Sequence, residues 1–225
     1  MSTCAKSENI IAFIEMIGVL KNTYRFEDKK KSKKRKKTKD TVADHLCRAI
    51  IMAITLAEEL NLEINRYHAI KIVATHDLGE YLDGDIDRRR VYCGEISKEE
   101  KKERERHAIL KLRDELSSDF GNHLLELWNE FEEAQTQEAK FAVAVDKLET
   151  MKQIVENGYK TYNKPEIIPN YADPAVSEFP QLFPMLLIIK EELKQEFVKG
   201  KIPWIETYDT LIVAMMGEQR QERKH

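Results

Sequence analysis

The sequence predicts an all-α fold, and three observations carry that expectation. Only 8 Gly and 6 Pro occur among 225 residues, too little material for the many tight turns of an all-β chain. Apolar residues recur every three or four positions in one segment after another, the period of a helix with one buried face. No segment alternates apolar and polar side chains as a half-buried strand does.

Taken in order, Ile10, Ile11, Ile14, Ile17 and Leu20 mark an amphipathic helix over about residues 7–22. Residues 23–40 are polar and basic and predict an extended loop. Thr41 or Asp40 is placed to cap the next helix, whose apolar face reads Val42, Leu46, Ile50, Ile54, Ala57 and Leu60. After the break at Asn61 and Asn65, a third helix carries Tyr67, Ile70, Val73 and Ala74 into His76. Residues 83–96, with Gly84 and Gly94, lack helical periodicity and are expected to form a loop.

A charge-rich helix follows over 97–116, held by Ile109, Leu112 and Leu116. Another spans about 121–134 through Leu124, Leu127, Trp128 and Phe131, where the spacing assigns the aromatic rings to the core. A long helix over about 138–157 turns Phe141, Val145, Leu148, Met151 and Ile154 inward. The Pro-rich stretch 164–184 interrupts the pattern before a helix at 185–198 and a last segment near 204–216, with Trp204 set to pin the last segment or to join a dimer interface. Domain organisation is expected to be a helical core over 1–160, including the basic loop 28–40, with 161–225 packing on the same domain.

Composition narrows the function classes. No apolar run approaches the roughly 20 residues of a membrane-spanning helix, and the first residues, MSTCAKSENI, lack a secretory signal's apolar core. Cys4, Cys47 and Cys93 are scattered thiols without a CxxC pair, which argues for a reducing, cytoplasmic setting and inert side chains. The net charge is −3, but residues 29–39 hold nine Lys or Arg and no acid, so the remainder sets 28 basic against 40 acidic residues. Such a block repels itself into a solvated loop. A functional role would be to attract phosphates, nucleic acid or an import receptor, or to steer anions to a nearby site. No stacking aromatics interleave with it, so sequence-specific nucleic-acid recognition is not expected.

Four side chains stand out by their surroundings. His45 sits beside Leu46 near the core face of its helix. His76 and Asp77 adjoin at the end of an apolar helix, in AIKIVATHDLGE, and Asp146 follows FAVAV. A carboxylate buried among such residues is costly unless it is paired or bound to a metal. Two imidazoles and two carboxylates form a mixed N/O set suited to Mn, Fe, Co, Ni or Zn. Glu80 lies one helical turn after His76 and Asp77, and Asp85 follows, so the acids crowd together in a way that a cation would relieve. By contrast, a lone His on an apolar helix is more often a hydrogen-bonded core residue. His68, His107 and His123, without acid partners in a motif, read as surface residues.

The segments ADH (43–45), HDLGEYLDGDI (76–86) and AVDKLE (144–149) together resemble the H…HD…D signature of HD-domain phosphohydrolases. More narrowly, they resemble their 5′-deoxynucleotidase subgroup, over about residues 8–160. The resemblance implies an HD-domain helical bundle around one divalent ion held by His45, His76, Asp77 and Asp146. It implies hydrolysis of (deoxy)nucleoside 5′-monophosphates to nucleoside and phosphate. Glu80 and Asp85 would be the acid–base and orienting carboxylates, Arg25 and Phe26 the phosphate and sugar contacts, and the assembly a homodimer. Two departures bear on substrate choice: Phe26 stands where the family usually has Trp and lacks its N–H donor, and the loop between Arg25 and His45 is longer than the family norm. Rival readings are an HD phosphohydrolase acting on a nucleoside polyphosphate, an alarmone or a phosphonate, and a metal-stabilised interaction protein that uses the basic loop.

Overall fold

A computed structural model describes residues 3–26, 40–116 and 118–222. The basic run 29–39, with the steering role considered for it, lies outside the described residues. The chain divides into two compact units, Met1–Ala142 and Val143–His225. Among the described residues there are helices and short 3-10 turns but no strand, only an antiparallel bridge between Tyr24 and Thr41. No helix among them is long and apolar enough to cross a membrane.

The first unit contains α1 (Thr3–Gly18), α2 (Val42–Glu59), α3 (Arg66–Thr75), the short α4 (Glu80–Asp83) and α5 (Arg88–Tyr92), α6 (Lys98–Glu115), α7 (Ser118–Glu133) and the start of α8 (Gln137–Asn157). The N-terminus of α2 is fixed by a reciprocal cap. Thr41 Oγ1 accepts from the Asp44 amide at 3.1 Å, and Asp44 Oδ2 accepts from the Thr41 amide at 3.0 Å. Of the two caps the sequence allows, Thr41 is the one used. Beside it, the Val42 amide donates to the Thr23 carbonyl and the Arg25 amide to the Asp40 carbonyl. These bonds draw Tyr24–Arg25 against the first turn of α2, so a long insertion between them does not move Arg25 away.

In this unit α2 packs on α3, and α7 on both α3 and α6. Val42, Ala108, Ile109, Leu112, Leu124 and Trp128 are almost completely buried and belong to one cluster. Burying an aliphatic side chain of this size stabilises by about 1.5–3 kcal/mol, and Trp128 contributes the largest apolar surface among them. The core assignment of Trp128 and Phe131 agrees with the structure, at 1% and 8% exposure.

Several expectations need correction. Ile54 and Leu60 of α2 and Tyr67 of α3, expected on apolar faces, are exposed. On α1 it is Phe13, Met16, Ile17 and the following Leu20 that pack inward, while Ile10, Ile11 and Ile14 are about half exposed. Both sets recur at helical spacing, and only the partner surface selects between them. Within the expected loop 83–96, Arg88–Tyr92 forms α5, started by Asp87, whose carboxylate accepts from the Arg89 amide. A cap can nucleate one turn without apolar periodicity. Finally, His68 and His123, expected at the surface without acid partners in a motif, each lie near an acid that no motif announces: His68 Nε2 is 2.7 Å from Glu130 Oε2, and His123 Nδ1 is 3.6 Å from Glu126. Both imidazoles are half-buried.

The second unit holds the remaining turns of α8, then α9 (Asp173–Glu178), α10 (Phe183–Gly200) and α11 (Thr210–Glu222). Pro165, Pro174, Pro180 and Pro184 of the interrupting segment sit in the first turns of its helices, where the missing N–H costs nothing. Lys190, 1% exposed, donates to Asp173 Oδ2 and to the Tyr208 carbonyl, each at 2.7 Å. Trp204 packs edge-on against Phe197 and Tyr208 and donates to Asp209 Oδ2 at 2.9 Å. It pins the last segment, one of the two roles its position allows.

Candidate metal centre

His45 occupies the first turn of α2, its amide donating to the Thr41 carbonyl at 3.0 Å. The cap that starts the helix therefore also places this imidazole. His76 follows the last residue of α3. Its Nδ1 donates to the Val73 carbonyl at 2.8 Å; a carbonyl only accepts, so the proton resides on Nδ1 and Nε2 presents its lone pair. The ring rests on Phe131, with centroids 4.7 Å apart. Asp77 comes next in the chain, one-fifth exposed.

These three side chains converge. The two Nε2 atoms stand 3.4 Å apart, and Asp77 Oδ2 lies 3.5 Å from that of His45 and 3.4 Å from that of His76. Donors about 2.1 Å from an ion at tetrahedral angles stand about 3.4 Å from one another. The spacing and the N/N/O donor set thus fit a divalent transition metal. Two of the donors are buried, His45 completely.

Around this triangle is a ring of charge. Glu80 begins α4, and its amide donates to the Asp77 carbonyl. Burial, then the neighbouring Asp77 and Asp85, hold its carboxyl well above the usual range. Its Oε2 is buried without a hydrogen-bond partner, an arrangement that costs about 1–3 kcal/mol when nothing fills it. Asp85 is also raised by burial, with the Arg25 guanidinium and the Phe26 amide pulling the other way. Arg25 lies 3.6 Å from Asp40 and 5.1 Å from the centre of the Phe26 ring.

Two charged residues here had not been singled out in the sequence. Lys101 on α6 bonds Glu105 at 2.5 Å. Burial lowers the ammonium's pKa, but Glu105 and Glu80 outweigh it and hold the group firmly protonated. In the sequence they are one more i, i+4 pair on a charge-rich helix, indistinguishable from solvated neighbours. Their helix approaches the HDLGE segment so closely that a Cβ on Gly79 would meet the Glu105 carbonyl at 3.0 Å, which accounts for the glycine there.

The structure thus brings together His45, His76 and Asp77, with Glu80 and Asp85 alongside and Arg25 and Phe26 next to Asp85. Asp146, on α8, is described within the second unit. It is 5% exposed and paired with Lys147 at 2.5 Å.

The model of a family described as HD domain matches residues 17–171. The 5′-deoxynucleotidase HDDC2 of Bos taurus is 28% identical over 197 residues, which cover 84% of this chain and 86% of that protein. The 5′-deoxynucleotidase hdd1 of Schizosaccharomyces pombe is 31% identical over 160 residues, covering 68% and 74%. Among solved structures, a "predicted metal-dependent phosphohydrolase" from Magnetospirillum magnetotacticum shares the fold, with a TM-score of 0.68 at 21% identity, over 89% of this chain and all of that one.

Proposed function

The chain belongs to the HD domain family, and on that premise we propose that it is a metal-dependent phosphohydrolase that releases phosphate from (deoxy)nucleoside 5′-monophosphates. The observation that carries the reading is the triangle of His45 Nε2, His76 Nε2 and Asp77 Oδ2, with the buried Glu80 carboxyl beside it.

We assign His45, His76, Asp77 and Asp146 as the ligands. Support for the fourth comes from its burial in α8, at 5% exposure directly after the apolar run FAVAV, where a carboxylate needs a partner or a metal. A bound divalent ion (Mn, Co, Fe, Ni or Zn) supplies Lewis acidity towards the phosphoryl oxygens and brings the pKa of a water towards neutral. The remaining chemistry belongs to the side chains. Glu80, its pKa raised by burial and then by Asp77 and Asp85, takes the proton of the attacking water. Asp85 delivers a proton to the departing 5′ oxygen. Arg25 forks onto the phosphoryl oxygens, and Phe26 lies against the sugar. The names of the two relatives support a deoxynucleotide. Without an indole N–H, Phe26 holds the sugar by packing alone.

Phosphate release from a panel of deoxy- and ribonucleotides, with Mn or Co added, tests this. Turnover of deoxynucleoside monophosphates is expected. Release from polyphosphorylated nucleotides alone would replace this reading with a different HD phosphohydrolase, and no release from any would leave an interaction protein. We further propose a homodimer in a reducing, cytoplasmic compartment, with which the exposed free thiols Cys47 and Cys93 are compatible. Sedimentation measures the assembly directly.

A further inference from the structure

Phe26 has φ +62°, in the left-handed region that bulky residues seldom enter and that surrounding structure must enforce. Both of its peptide groups are held from the same distant segment, Asp85 before α5 and Arg89 within it. Its amide donates to Asp85 Oδ2 at 3.2 Å, and its carbonyl accepts from Arg89 Nη2 at 2.9 Å. Arg89 is itself fixed. Its Nε bonds Asp87 Oδ2 at 2.7 Å, its Nη2 reaches the same oxygen, and its amide donates to Asp87 Oδ1 at 2.8 Å. Asp87 is buried and Arg89 largely so. Residues 59 to 63 positions apart thereby form one clamp around an unfavourable backbone conformation.

We infer that Arg89 is a positioning residue for the substrate: through the Phe26 carbonyl it sets Arg25 and Phe26 in place and ties them to Asp85. Its guanidinium is engaged by Asp87 and Phe26, so it acts through them and not on the phosphate. A planar fork suits the task, because one cation must satisfy a carboxylate and a carbonyl in fixed directions. Lysine keeps the charge but loses the fork. The inference rests on reading Arg25 and Phe26 as substrate contacts.

The test compares Arg89→Lys with Arg25→Met in the full-length, metal-loaded protein. Lysine leaves a cation beside the buried Asp87, so folding is retained. Three quantities are measured: amide hydrogen exchange across Tyr24–Phe26, bound metal, and kcat and KM for a deoxynucleoside monophosphate. Arg89→Lys is expected to speed exchange in that segment and to raise KM about tenfold or more, since small misplacements of a contact cost that much. Its kcat and metal content should stay within about twofold of wild type. Unchanged exchange, or an unchanged KM while Arg25→Met raises its own, overturns the inference alone. So does a fall in kcat and metal content at constant KM, which is what a purely structural role would give. A wild-type KM in Arg25→Met overturns the underlying substrate reading and this inference with it.

Discussion

The imidazoles of His45 and His76, 31 residues apart, face each other with their Nε2 atoms 3.4 Å apart. The His76 ring is locked by its Nδ1 bond to Val73 and cannot turn that lone pair away. With Asp77 Oδ2 at the same spacing from both, the three donor atoms stand as far apart as the ligands of one tetrahedral ion.

Asp77→Ala and His76→Gln should therefore lose bound metal and phosphate release together. Glu80→Gln should keep the metal and lose about 10²–10⁴ in kcat, the usual contribution of one proton-transfer group. Elemental analysis beside a phosphate assay measures both quantities. Full metal content in Asp77→Ala would remove that residue from the ligand set.

The same Glu80 makes metal-free stability depend on pH. Burial, then Asp77 and Asp85, raises its folded-state pKa, whereas in the unfolded chain the carboxyl titrates near about 4.3. The folded state thus binds the proton more tightly. The stability this provides is complete below the unfolded value and is lost as pH rises from there through the folded pKa. In the presence of chelator, Glu80→Gln should raise Tm at pH 7, and the gain should vanish below about pH 4. Identical melting of mutant and wild type at pH 7 would contradict this account.

Helix packing in the first unit is tight where α7 crosses α6 at Gly121. A Cβ on Gly121 of α7 would sit 2.4 Å from the Arg113 carbonyl of α6, whereas one on Gly18 would meet nothing within 4 Å. Overpacking by Gly121→Ala should cost about 1–3 kcal/mol, or a drop of about 2–4 °C in Tm for each kcal/mol. Gly18→Ala should be neutral or mildly stabilising. Equal melting temperatures for the two variants would show that α6 and α7 can yield at this contact.

In the second unit the buried ion pair of Lys190 with Asp173 should behave asymmetrically. Lys190→Ala leaves a carboxylate without its cation and should cost about 3–5 kcal/mol. Lys190→Met combined with Asp173→Asn should recover most of that loss, because no lone charge remains. Chemical denaturation of the three proteins separates the cases, and a double variant as unstable as the single would count against the pairing.

The helices were legible because a buried face leaves a period in the sequence. The face of α1 was not, since Ile10, Ile11 and Ile14 repeat as regularly as the inward Phe13, Met16 and Ile17. Periodicity reports amphipathicity, but contact with a neighbouring element decides which residues are covered. α5 was missed because a cap and one turn of arginines carry no apolar signal. His45, His76, Asp77, Glu80 and Asp85 were legible as a group because ionisable residues set among apolar ones demand a reason. Lys101, Glu105, Asp87 and Arg89 gave no such signal. Charged residues in polar stretches look solvated until a fold covers them.

The sequence by itself determined the all-α class, the extent of the longer helices and which side chains are able to bind a metal, since local periodicity and residue type suffice for these. Only the tertiary structure decided how far apart His45, His76 and Asp77 stand, and that a left-handed Phe26 is held between Asp85 and Arg89. Those relationships join residues far apart in the chain, and their distances follow from how the helices pack, which no single segment encodes.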